Sequence, residues 1–227
     1  RYRPGAMCYR IKDALLGNGF LDIIVMAQAN AEGMIVILQG TDIGPEAQLY
    51  AVYGGASGKT FSRNGDIGAD PESGFYLLPA YCENNRYTLE KNRFGLSYQN
   101  KKNEPQFIQG SFSGLSKLHV SDASALDNLS NLSKTKHLDK PMLVGEYNLD
   151  SKPFYIEISK GKLSAEKPAV HALEIIYEEA EQARRSLTSR VKLNTPDRYI
   201  NNFGAALALA ADGIWESPTF LHGAVAW

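Results

Sequence analysis

The chain has 227 residues, 44% of them hydrophobic, and 24 Lys/Arg against 25 Asp/Glu leave a formal net charge of -1. That apolar share is enough for a packed core and excludes a disordered chain, while the near-balanced charge, without a dense Lys/Arg stripe, excludes the electrostatic footprint of a nucleic-acid binder. No run approaches the roughly 18 apolar residues that a membrane-crossing helix needs.

The start, Arg1-Tyr2-Arg3-Pro4, has neither an initiating Met nor an apolar stretch. It is expected to follow a removed segment, either a signal peptide or trimmed residues, and a periplasmic or extracellular location is the expectation that goes with it. Cys8 and Cys82 are the only thiols, and with His119, His137, His171 and His222 scattered they give no zinc spacing. Two buried thiols are the ordinary reading and one disulfide the alternative. Neither a metal nor a cofactor is expected.

From residue 1 to about 161, short apolar or aromatic runs alternate with Gly, Asn, Asp and Pro, the pattern of many short antiparallel strands. Strands are predicted at 6–10, 20–27, 34–39, 49–53, 75–78, 86–90, 94–99, 107–113, 117–121, 141–148 and 154–158. In the last, Phe154, Ile156 and Ile158 share one face while Tyr155 and Glu157 share the other, so one face is buried and one wet. With no helical pattern between them, the strands favour a large two-sheet antiparallel sandwich over a parallel sheet, which needs crossover helices. A closed barrel is the alternative. Residues 122–140 are too long for a tight turn and read as an excursion with one short helical turn.

After Lys167 the period changes to about 3.6. Val170, Leu173, Tyr177, Ala180 and Leu187 form a stripe, with Glu174, Glu178, Glu181, Arg184 and Arg185 largely elsewhere on the surface. Pro168 suits a first turn, and the acids lead while the arginines trail, opposing the helix dipole. A helix is predicted over 168–190. A second, over 196–215, has Thr195 as its predicted N-cap and Pro196 at its first position. Its large residues Ile200, Phe203, Leu207, Ala210 and Ile214 make one face, and Gly204, Ala205, Ala206, Ala208 and Ala211 leave little polar surface opposite. Such a helix wants packing on several sides. Ser217-Pro218 breaks it, and 220–227 reads as the opening of a third helix. That run stops without cap or polar tail, so the chain is expected to be the N-terminal part of a larger protein.

The passage Thr195-Pro196-Asp197-Arg198-Tyr199-Ile200-Asn201-Asn202, its Ala-rich helix, Trp215 and the Leu221-His222-Gly223-Ala224 turn resemble six-hairpin glycosidases and related sugar phosphorylases. More narrowly they resemble an uncharacterised group of bacterial domain-of-unknown-function proteins. Support from the sandwich comes from Asn64-Gly65-Asp66-Ile67-Gly68-Ala69-Asp70-Pro71-Glu72-Ser73. The resemblance implies a supersandwich-like β domain over 1–165, a linker helix over 166–194, and over 195–227 the first hairpin of an (α/α)6 barrel that binds carbohydrate. It implies that the parent protein is a glycoside hydrolase whose catalytic carboxylates lie downstream, so that this chain alone is inactive. Its partners would then be carbohydrate and the C-terminal helical domain of the same protein. A carbohydrate-binding or structural sandwich without catalysis is the alternative.

Glycoside hydrolysis needs two carboxyls about 5–9.5 Å apart, closer for retention and farther for inversion. In the acidic loop 63–72, Gly65, Gly68 and Pro71 impose turns that could gather Asp66, Asp70 and Glu72. These three are candidate sugar-site residues, with a solvated or Arg63-paired loop and a calcium loop as the other readings. His222 and Trp227, at the expected start of the inner helix, are the remaining substrate-binding candidates, since an indole can stack on a sugar and an imidazole can donate to its hydroxyls. Packing is the competing role for Trp227 and for Trp215. Asp212 is a candidate buried carboxylate or an exposed helix-end acid. Gly58-Lys59-Thr60 is not a phosphate loop, because the first glycine of that motif is misplaced and no helix pattern follows.

Overall fold

The computed structural model describes residues 2–44, 47–54, 78–100, 102–132, 138–164 and 172–220. In the β half the strands are β1 (Tyr2–Arg3), β2 (Ala6–Ile11), β3 (Phe20–Ala27), β4 (Gly33–Thr41), β5 (Gln48–Tyr53), β6 (Arg86–Glu90), β7 (Arg93–Gln99), β8 (Pro105–Phe112) and β9 (Lys117–Asp122). The short helix α1 (Leu129–Leu132) follows, then β10 (Pro141–Asn148) and β11 (Phe154–Lys160). Helices α2 (Ala172–Thr188) and α3 (Arg198–Gly213) come next, and β12 (Trp215–Glu216) and β13 (Thr219–Phe220) complete the described chain.

Every strand pairing among the described residues is antiparallel. Among the described residues the order β1-β2-β3-β4-β11-β8-β7-β6 makes an eight-stranded sheet, and β5-β10-β9 makes a three-stranded one. Alternation along each strand sends Leu21, Leu38, Phe94, Phe112 and Phe154 of the large sheet toward Leu49, Tyr53, Leu118 and Leu143 of the small one, enclosing the core between the sheets. The result is the sandwich-like β plus α arrangement expected, with very unequal sheets.

Aromatic rings span that core. Tyr53, Phe94, Phe112, Phe154 and Tyr147 follow one another at centroid distances of 5.5, 6.0, 6.3 and 4.0 Å, linking both sheets. Phe94 lies across Gly110, its strand partner. A Cβ on Gly110 would overlap the Phe94 ring and come within 2.7 Å of the Glu157 carbonyl. A second cluster, Cys82, Ala123, Leu132, Met142 and Val144, backs the far face of the small sheet. Gly54 admits it, because a Cβ there would sit 2.6 Å from Cys82 Sγ. Cys8 belongs instead to a third cluster beneath α2, with Ala6, Met26, Ile35 and Ala180.

The excursion after β9 is held by Asp122, whose carboxylate accepts from the amides of Ser124 and Lys140, each at 2.9 Å. It contains a 3-10 turn at Ala123–Ala125 and α1. The expected strand at 75–78 falls, except for Leu78, outside the described residues.

Five expectations need correction. Glu157, expected with Tyr155 on the wet face of β11, is buried, because α2 covers that side: Tyr155 meets Tyr177 at 5.8 Å between ring centres, and Gln28 Nε2 donates to the Glu157 carboxylate at 3.0 Å. Glu181, expected on the surface, is buried, because three arginines converge on it. The N-cap of α3 is Asp197, which accepts from the Tyr199 amide at 2.7 Å, and not Thr195. Thr195 stands one turn earlier: its hydroxyl accepts from the Asp197 amide at 3.2 Å, its amide donates to Asn201 Oδ1 at 2.7 Å and its carbonyl accepts from Asn201 Nδ2 at 2.9 Å. Helix α3 ends at Gly213, and Trp215 lies in β12 rather than in the helix. Phe220 lies in β13, not in a third helix: Ser217-Pro218 forms the turn of a hairpin in which Trp215 pairs with Phe220. Pro218 offers no amide to a helical ladder and disfavours helical backbone before it, whereas the two rings meet edge to face at 4.8 Å.

Candidate docking face

Helix α2 lies on the outer face of the large sheet, against β3, β4 and β11, with Leu173 and Ala180 buried beneath it. Its fastening is ionic. Glu181 receives Arg3 at 3.0 Å, Arg184 at 2.7 and 2.8 Å, and Arg185 at 2.8 Å. Arg184 also donates to the Pro4 carbonyl at 2.9 Å, tying β1 to the helix. Arg184, more than Arg185 and Arg3, holds the Glu181 carboxyl down at about 2 against the opposing effect of burial. Gly5 makes the close approach possible: its φ is +77°, and a Cβ would lie 2.6 Å from Arg184 Cγ.

Helix α3 packs on α2 and on the linker, with Gly204 against Leu193 and the Val191 carbonyl. Leu209 faces Gly5, but the other large residues are exposed. Tyr199 is 70% exposed, Phe203 58%, Leu207 46% and Ile214 42%, and Trp215 and Phe220 of the hairpin are 49% and 59% exposed. Among described residues of α3 only Gly204 is buried. Ile200, Phe203, Leu207, Ala210 and Ile214 recur at alternating steps of three and four, the spacing of a seam that accepts a neighbouring helix. Beside the seam an open groove of about 520 Å³ runs between α3 and the sheet, lined by Arg3, Pro4, Cys8, Ile24, Tyr199 and Phe203 among others.

Asp66, Asp70, Glu72, His222 and Trp227 all lie outside the described residues, as do the Gly58-Lys59-Thr60 segment and the first turn expected for α2. Asp212 is exposed. Among the described residues no group of three or more His, Cys, Asp or Glu side chains is placed to hold a metal, and no helix is long and apolar enough to cross a membrane. The residue that sequence reading missed is Glu181; its clustering with Arg184 and Arg185 at helical spacing was a visible signal, whereas Arg3, 178 residues away, was not.

The fold and this face define a β-sandwich carrying a helical appendage whose apolar seam is exposed among the described residues. Residues 1–181 match the family described as Domain of unknown function (DUF4450), and the chain belongs to it. The match takes in the sandwich and α2 as far as Glu181, and α3 with its hairpin follows it. Comparison with curated proteins gives no match.

Proposed function

We propose that this chain is the N-terminal, non-catalytic portion of a glycoside hydrolase, in which the sandwich supports and partly walls the active site of an all-helical (α/α)6 domain. The observation that carries the reading is the exposed seam on α3. Its heptad spacing fits a helix rather than an extended peptide, and its continuation into Trp215 and Phe220 fits several helices side by side. On this reading α3 opens the helical domain, and the occupant of its seam is the helices of that domain that follow, supplied by the same polypeptide. The sandwich fixes α3 through α2 and the Glu181 cluster, so the domain is held at a set angle. General acid and base belong to the helical domain.

The test compares the complete gene product with residues 1–227 on plant, host and microbial glycans, reading released reducing ends. The complete product releases sugar and the shorter chain does not. Leu207→Asp lowers release by the complete product while leaving the melting temperature of residues 1–227 unchanged. Release by the short chain, or full activity of the complete Leu207→Asp protein, overturns the proposal. A glycan-binding or structural sandwich without catalysis predicts no release from either.

A further inference from the structure

The outer face of the large sheet has a second half that α2 leaves open. There β6, β7 and β8 carry a groove of two adjoining hollows, of about 280 and 210 Å³. Both hollows are lined by Arg86, Ser97 and Phe107. The register explains the sharing: Arg86 stands opposite Ser97 and Ser97 opposite Phe107, so three neighbouring strands send these side chains out in one row. Leu163 closes one end by packing over Gly95, whose Cβ would lie 3.0 Å from Leu163 Cβ. Lys162 stands beside it, with Nζ 4.6 Å from the centre of the Phe107 ring.

The chemistry of the lining is selective. Arg86 and Lys162 supply two positive charges, and among the described residues no Asp or Glu lines either hollow. Glu90, farther along β6, is turned to Arg93 at 3.4 Å. Thr88, Ser97, Asn84 and Gln99 offer groups that donate and accept, as sugar hydroxyls require, while Phe107 and Pro105 give an apolar floor for C–H faces. Two cations beside such a floor suit one oxyanion on a ring; a membrane surface would call for a longer run of basic residues.

We propose that this groove binds an acidic saccharide, its carboxylate or sulfate held by Arg86 and Lys162 and its ring lying against Phe107. The assignment rests on the preceding reading only in taking a sugar as the carrier of the anion. The shared chemistry is a compact oxyanion on a pyranose, and the Arg86 guanidinium can engage it through two parallel donors.

Calorimetric titration of the chain tests it, with oligogalacturonate, a sulfated oligosaccharide and a neutral cello-oligosaccharide of equal length, and inorganic sulfate. At least one of the charged oligosaccharides saturates the site, and which of them does so separates carboxylate from sulfate. The neutral oligomer binds at least about tenfold more weakly, and Arg86→Gln and Lys162→Gln each weaken binding about tenfold, the effect of one charge-assisted contact. Added salt weakens binding. Arg86→Lys retains part of the affinity, and unchanged melting curves show that both Gln variants are folded. Leu207→Asp leaves the titration unchanged, so failure of the α3 reading and failure of this one are separable. The proposal is overturned if neutral and acidic oligomers bind alike, if inorganic sulfate binds as tightly as the oligosaccharides, if neither Gln variant alters affinity, or if nothing binds.

Discussion

Glu181→Gln removes the one carboxylate on which Arg3, Arg184 and Arg185 converge while keeping its shape. The folded carboxyl titrates at about 2 rather than 4.5. If the unfolded chain titrates normally, linkage makes a shift of that size worth about 3 kcal/mol at neutral pH. Solvent screening reduces this, because Arg185 is 73% exposed and Arg3 35%, and about 2 kcal/mol is the working figure. For a chain of this size that loss corresponds to a melting temperature lower by about 4–8 °C. The contribution is fully present above the unfolded carboxyl range, near 4.5, and is lost as pH falls through the folded value of about 2. Thermal melts of both proteins at pH 7, 4 and 2 therefore show the widest gap at pH 7 and convergence at pH 2. Melting temperatures within about 1 °C at pH 7 would refute the reasoning, given the 2–4 °C expected per kcal/mol. So would a gap that persists at pH 2.

Gly110→Ala drives a methyl into the Phe94 ring and toward the Glu157 carbonyl; denaturant unfolding should show a loss of about 3 kcal/mol. Tyr87→Phe deletes the hydroxyl that donates to the Tyr53 carbonyl at 2.9 Å, and the same assay should read a loss of about 1 kcal/mol. Asp122→Ala strips the acceptor from two amides; a loss of about 1–2 kcal/mol is expected, with faster amide exchange at Ser124 and Lys140.

Period-two alternation made the sandwich legible. The predicted strands at 20–27, 86–90 and 141–148 coincide with β3, β6 and β10, because apolar and β-branched runs between turn residues mark strands whether one face is covered or, as in β10, both are. Sheet membership was not legible, since β4 pairs with β11 across more than a hundred residues and no local pattern encodes such a register. For α3 the stripe was visible but not its direction: Gly204 meets the linker and Leu209 faces Gly5, while Tyr199, Ile200, Phe203, Leu207 and Ile214 keep 42–70% of their surface exposed. Hydrophobic periodicity reports that a face is apolar, not which neighbour covers it. The Glu181 cluster and the Arg86 groove both depend on distant residues brought together by the fold.

Hydroxyl-radical footprinting of Phe203, Leu207, Trp215 and Phe220, in residues 1–227 and in the complete gene product, addresses the α3 seam directly. All four react readily in the shorter chain, as their exposure requires, and become protected in the complete protein. Equal reactivity in the two would show that no helical domain sits on α3.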